Sequence, residues 1–216
     1  VYVYTRSADR TWIQVGKLIA TDGEAGDLFG TSIALDSDTA LVGSWSDEGG
    51  GSVYVFKRTE DGDWTQTAKI TASNDPTAIM FGVELALDGD TAILCAFNSA
   101  YVLVGESNTI WNQQARLTAP DNTAIGSFCN AVAFERDVAL IGSSRDENER
   151  GSVHVYTRNE NGTWIHVNEI TAADGEPGDA FGISVAMNSG EVLIGAWKED
   201  DHGSVYAVTN NKVLPR

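Results

Sequence analysis

A chain of 216 residues with 31 acidic against 14 basic side chains, and a formal charge of −17, repels a phosphate backbone, so nucleic acid is excluded as an expected partner. No apolar run reaches the roughly 18 residues that a membrane-crossing helix needs, so no membrane insertion is expected. The length suits one domain with its own core, or one stretch of a larger repeat array.

From the start of the chain, apolar runs alternate with clusters of Gly, Asp, Asn and Ser, the pattern of short strands joined by tight turns. The opening strands are expected at Val1 to Thr5 and Trp12 to Ala20. Four more follow, at Phe29 to Asp36, Thr39 to Ser44, Ser52 to Arg58 and Trp64 to Thr71, with a hairpin at Ser37-Asp38 and a turn at Asp61-Gly62. Equivalent sets begin at Phe81 and Phe128. A last set begins at Phe181 and ends, after three strands, at Val205 to Thr209.

These sets are copies. Trp12, Trp64, Trp111 and Trp164 are separated by 52, 47 and 53 residues, and Phe29, Phe81, Phe128 and Phe181 keep the same three spacings. Two anchors in step over a period near fifty residues point to an array of small sheets such as propeller blades. Within the first strand of a copy, Phe181, Ile183, Val185 and Met187 alternate with Gly182, Ser184 and Ala186, as Phe29, Ile33 and Leu35 do with Gly30, Ser32 and Ala34. A large face then packs on a small one. The opening strands match the third and fourth of a set, while the last set lacks its fourth. Closure by one chain therefore leaves a surplus strand, which favours closure with another chain or with missing repeats.

Phe-Gly at Phe29-Gly30, Phe81-Gly82 and Phe181-Gly182, then a strand, an Asp-containing turn, Ala-Leu-Val-Gly or its like, Gly-Ser-Val-Tyr-Val and a Trp strand, resembles the FG-GAP repeat proteins. The resemblance covers essentially all of residues 1–216 and implies an all-β propeller of about four four-stranded blades, used for adhesion, ligand binding or assembly. Integrin-type members of that family carry a calcium loop of the form Asp-x-Asp-x-Asp-Gly. The hairpins here, Asp36-Ser37-Asp38, Asp88-Gly89-Asp90, Glu135-Arg136-Asp137 and Asn188-Ser189-Gly190, depart from it, and read as turns whose Asp and Asn bond their own backbone.

If strands alternate in direction, the loop before each Phe and the loop between second and third strands share one face. Asp22, Glu24 and Asp27 then lie beside Asp47 and Glu48, and Asp174, Glu176 and Asp179 beside Glu199, Asp200 and Asp201. Such carboxylates are candidate calcium ligands, the alternative being a solvated acidic rim. The middle copies instead carry Ile79, Met80 and Ile125 in these loops, a candidate protein contact or simply side chains tucked beneath. Cys95 and Cys129 each stand where the other copies have glycine, in neighbouring sets. This suggests a disulfide between adjacent blades and an oxidising compartment, against two buried free thiols. Asn161 opens the sequon Asn161-Gly162-Thr163, a candidate glycosylation site that is equally an ordinary hairpin turn.

Catalytic patterns are lacking. His154, His166 and His202 fall at different positions without metal-ligand spacing, and no nucleophile elbow or phosphate loop is present. The expectation is a non-catalytic module, extracellular or at the cell surface, binding a protein or glycan through its loop face, with calcium as the candidate cofactor. A secreted hydrolytic propeller using loop carboxylates and an architectural subunit are the alternatives.

Overall fold

Val-, Ile- and Leu-rich runs of four to eight residues, each closed by a turn, leave every strand able to bury its side chains only against a neighbouring sheet. The computed structural model describes residues 1–120, 127–199 and 202–209, and the backbone alone of residues 147 and 148. It contains five antiparallel sheets in chain order. The first pairs β1 (Tyr2–Arg6) with β2 (Trp12–Lys17). The second runs β3 (Ile33–Asp36), β4 (Thr39–Ser44), β5 (Ser52–Arg58), β6 (Trp64–Thr71), and the third β7 (Leu85–Asp88), β8 (Thr91–Ala96), β9 (Ser99–Gly105), β10 (Trp111–Leu117). The fourth comprises β11 (Phe128–Glu135), β12 (Val138–Ser143), β13 (Ser152–Arg158) and β14 (Trp164–Ile170), with one helical turn, α1 (Asp146–Glu149), between its middle strands. The fifth stops at three: β15 (Phe181–Asn188), β16 (Glu191–Ala196) and β17 (Ser204–Thr209).

Four apolar clusters fill the four joints between consecutive sheets. Val1, Val3 and Leu18 meet Val42, Tyr54 and Phe56 at the first joint, and Leu41, Val53 and Val55 meet Phe81, Leu94 and Tyr101 at the second. Ile93, Val102 and Leu117 meet Phe128, Ile141 and Trp164 at the third, and Leu140, Val153 and Val155 meet Phe181, Val192 and Ile194 at the fourth. Each fully buried Leu, Ile or Phe contributes about 2 kcal/mol of transfer free energy. The expected large-on-small packing holds on the inner strands. Ala34 lies under Leu85 and Leu87, and Ala133 under Val185 and Met187.

Three expectations need correction. The first strands of the opening two full sheets begin at Ile33 and Leu85 rather than at the phenylalanine: the residue after the anchor takes a positive φ in every copy and bends the chain, and Phe29 and Phe81 do not enter the register with the second strand. In the last two sheets the strand does begin at Phe128 or Phe181, but its register shifts before residues 131 and 184. Ile183 accordingly leaves the face of Phe181, Val185 and Met187 and is partly exposed. The third correction concerns the hairpins, whose acids do not bond their own backbone. Asp36 accepts the N–H of Gly89 at 2.7 Å, Asp88 that of Arg136 at 2.5 Å, and Glu135 that of Ser189 at 2.8 Å. Each hairpin is thus tied to the corresponding hairpin of the next sheet.

The disulfide does form, joining Cys95 of β8 to Cys129 of β11 with a Cα–Cα distance of 5.4 Å. Its position has a steric logic. A Cβ on Gly43 would lie 2.1 Å from the Gly82 carbonyl oxygen, and one on Gly142 would lie 2.1 Å from that of Gly182. Glycine faces glycine at the second and fourth joints, and the third bridges the same place covalently.

Candidate functional site

Each repeat builds one polar cluster at the same place in its sheet. The anchoring phenylalanine packs edge-on or tilted against the aromatic residue in the middle of the third strand: Phe29 on Tyr54, Phe81 on Tyr101 and Phe128 on His154 at 5.4 Å between ring centres, Phe181 on Tyr206 at 5.1 Å. That packing fixes a hydroxyl or imidazole beneath the acidic loops. Fourth-strand register then brings a charged residue opposite it, pairing Tyr54 with Lys69, Tyr101 with Arg116 and His154 with Glu169.

In the second sheet Tyr54 donates to Asp47 at 2.9 Å, and the Lys69 ammonium lies 2.8 Å from Asp47 and 2.7 Å from Asp22, over the Tyr54 ring. The two loops expected to share a face therefore meet at one lysine. Burial opposes charge on both Asp47 and Lys69, but their mutual hydrogen bonding prevails, lowering the Asp47 pKa and raising that of Lys69. Asp22, more exposed, is lowered by the hydrogen bond from Lys69. In the third sheet Tyr101 donates to Asp75 at 2.7 Å and Arg116 lies 3.1 Å from the same oxygen. The hydroxyls of Thr77 and Tyr101 hold Asp75 down to about 2, while burial and then Asp75 push Tyr101 up to about 12.

The fifth sheet has three strands among the described residues and repeats the arrangement without a fourth-strand cation opposite the tyrosine, although Lys198 lines the same cavity. The single Tyr206 hydroxyl proton is shared between Asp174, at 2.9 Å, and Glu199, and burial followed by these two carboxylates raises its pKa. The other Glu199 oxygen, Oε2, is buried with no hydrogen-bond partner among the described residues. In the fourth sheet the cluster is Asp146, His154 and Glu169, whose ligating atoms lie within 4.8 Å of one another, with His166 stacked alongside. Nothing in the sequence pattern signals that these side chains meet. His154 and His166 are not scattered: β13 and β14 bring Nδ1 of one to 3.3 Å from Nε2 of the other. Helix-type ligand spacing does not report on residues joined across strands, where register decides.

The remaining expected residues fall into distinct roles. Asp27 and Asp179 are buried and accept the N–H of Glu24 and Glu176 at 2.6 Å, so both carboxylates shape their own loops. Glu24, Glu48 and Glu176 are exposed on the loop face. Ile79 is exposed beside Phe97, whose N–H bonds the Ile79 carbonyl at 2.8 Å, and Met80 lines a small cavity of about 180 Å³ with Phe97 and Cys129. Asn161 is exposed in the hairpin between β13 and β14. Asp200, Asp201 and Ile125 lie outside the described residues. Calcium of the integrin type does not fit the first-to-second-strand hairpins, because Asp36, Asp88 and Glu135 already accept backbone N–H groups there, and Asp38 and Asp137 pair with Arg58 and Arg158 at 2.7 Å.

Five sheets in sequence, joined face to face with their inner strands first, define an open β-propeller array whose first and fifth sheets do not pair among the described residues. The FG-GAP repeat matches this chain four times, at residues 12–56, 64–106, 111–156 and 164–209, and the chain belongs to that family. Each matched unit runs from the fourth strand of one sheet through the third strand of the next. Sequence repeat and structural sheet are thus offset by one strand. No curated protein matches the chain. Among the described residues no helix is long and apolar enough to cross a membrane.

Proposed function

We propose that the chain is a non-catalytic extracellular binding module that engages a protein or glycan through its acidic loop face. The observation that carries this reading is the convergence of two acidic loops on Tyr54 and Lys69 in the second sheet and on Tyr206 in the fifth, which leaves exposed Glu24, Glu48 and Glu176 at the rim of a rigid sheet array. The disulfide supports an oxidising compartment. The reading includes a calcium ion held by Asp174 and Glu199. In support, Asp174 and Glu199 offer oxygen donors, one of them buried without a partner among the described residues, and Lys198, which lines the same cavity, makes no ion pair with either such as Lys69 makes with Asp22 and Asp47. The test is a glycan array together with a panel of purified extracellular proteins, probed with and without calcium. Binding is expected to be lost in Asp174→Asn/Glu176→Gln and retained in Asn161→Gln, and equal binding by all three would refute the loop-face reading. The calcium component predicts a higher melting temperature with calcium in wild type but not in Asp174→Asn.

A specific observation also favours an assembly role. Leu193 and Val205 on the fifth sheet are 49% and 69% exposed, although their counterparts Leu41, Leu140, Val53 and Val153 are fully buried at sheet joints. Tyr2 on the first sheet is 58% exposed where Tyr54 is fully buried.

A further inference from the structure

We propose that the fourth sheet carries a binding site for a divalent transition-metal ion of the zinc class, formed by Asp146, His154 and Glu169. Asp47 and Asp146 each follow the second strand by three residues, each is buried, and each carbonyl accepts the N–H of the glycine preceding the third strand, at 3.0 and 3.1 Å. In the second sheet the cation opposite this aspartate is Lys69, and in the third sheet Arg116 holds the same register over Tyr101. In the fourth sheet that position is Glu169, and the tyrosine is His154. Both changes remove the built-in cation and supply metal-ligating atoms in its place.

A second observation points the same way. Asp146 is 2% exposed. Its Oδ2 accepts from Ser152 at 2.8 Å and lies 3.2 Å from His154 Nε2, while its Oδ1 has no hydrogen-bond partner among the described residues. A buried carboxylate oxygen without a donor is costly, and a bound cation removes that cost. His154, 1% exposed, is oriented for the purpose. Nε2 faces Asp146 and Ser152, and Nδ1 lies 3.3 Å from His166 Nε2, so that ligation through Nε2 leaves Nδ1 in the outer hydrogen bond that fixes a metal-bound imidazole.

Glu169 is exposed and completes the set from the solvent side, which gives the ion its entry path. Metal–ligand bonds of about 2.0–2.2 Å place ligand atoms roughly 3.3 Å apart, and rotation of the Glu169 side chain contracts the present 4.8 Å spread. One imidazole with two carboxylates selects a zinc-class ion over calcium, which takes oxygen ligands, and a water fills the fourth position.

Metal-stripped protein titrated with Zn²⁺ by calorimetry should bind one equivalent, and Co²⁺ should produce visible absorption bands at the same stoichiometry. At a hundredfold excess over Kd, Zn²⁺ should raise the melting temperature by roughly 5 °C or more, and Ca²⁺ should not displace Co²⁺. Glu169→Gln should weaken Zn²⁺ at least tenfold. Glu169→Lys, which copies the second sheet, should abolish both signals while its cooperative melt is kept, and His202→Ala, outside the cluster, should change neither. Wild-type protein that takes up no stoichiometric Zn²⁺ and gives no Co²⁺ bands overturns the proposal whatever the variants do. So does Zn²⁺ binding of unchanged affinity in Glu169→Lys.

Discussion

Glu84 occupies a position on the inner strand region where the other copies have Ser32, Ala131 and Ser184. It is partly buried beside Val83, Phe97 and Phe128, and burial raises its carboxyl above the ordinary value of 4.5. The folded chain therefore binds this proton more tightly than the unfolded chain. The contribution to stability is fully present below 4.5 and is lost as pH rises through the raised value. Glu84→Gln should increase stability at neutral pH and flatten the pH dependence above 4.5, as read by urea denaturation at a series of pH values. Unchanged pH dependence in the variant would remove Glu84 as its source. At this scale the sequence was informative wherever one copy broke the pattern of the others. Cys95 and Cys129 were legible as a pair because each replaced a glycine. The His154 cluster was not, because Glu169 and His166 become its neighbours only through the pairing of β13 and β14.

The second, third and fourth strands of a sheet were legible almost to the residue from alternating apolar patterns and turn residues, as with Thr39–Ser44, Ser52–Arg58 and Trp64–Thr71, whereas the first strands of two sheets start four residues late. What the pattern did not show was how closely neighbouring sheets approach. Gly142 illustrates this. The nearest atom to an added Cβ is the Gly182 carbonyl oxygen, part of the next sheet's backbone rather than a side chain that can swing away. Gly142→Ala should therefore cost about 3 kcal/mol in denaturant unfolding, whereas Gly178→Ala, where a Cβ would meet nothing, should cost only the penalty of its positive φ. Equal losses for the two would show that sheet spacing is not the constraint. The hairpin ties from Asp36, Asp88 and Glu135 belong to the same scale, since each acid was visible in the sequence but its acceptor role toward the next sheet depends on stacking.

Across the whole molecule, burial rises from the ends to the middle. The second, third and fourth sheets have neighbours on both faces, whereas Tyr2, Tyr4 and Trp12 on one end and Leu193 and Val205 on the other face solvent. Stability in such arrays is a sum over sheets and joints. Amide exchange should therefore be slowest in β8, β9, β12 and β13 and at least tenfold faster in β1, β2 and β17. Uniform protection along the chain would mean that the end faces are covered in solution, and a measured mass at a multiple of 23.1 kDa would identify another copy as the cover.

The sequence by itself determined the repeat, most of the strands and the family, and it suggested the pairing of the two cysteines. These follow from local periodicity and from comparing copies within one chain, which needs no knowledge of distance. Only the tertiary structure decided which charges meet. Asp22, Asp47 and Lys69 come from three separate segments, as do Asp146, His154 and Glu169. The reason is geometric: cross-strand register and sheet stacking set the few ångströms between side chains on which ion pairing, pKa and metal affinity depend, and neither can be read along a single strand.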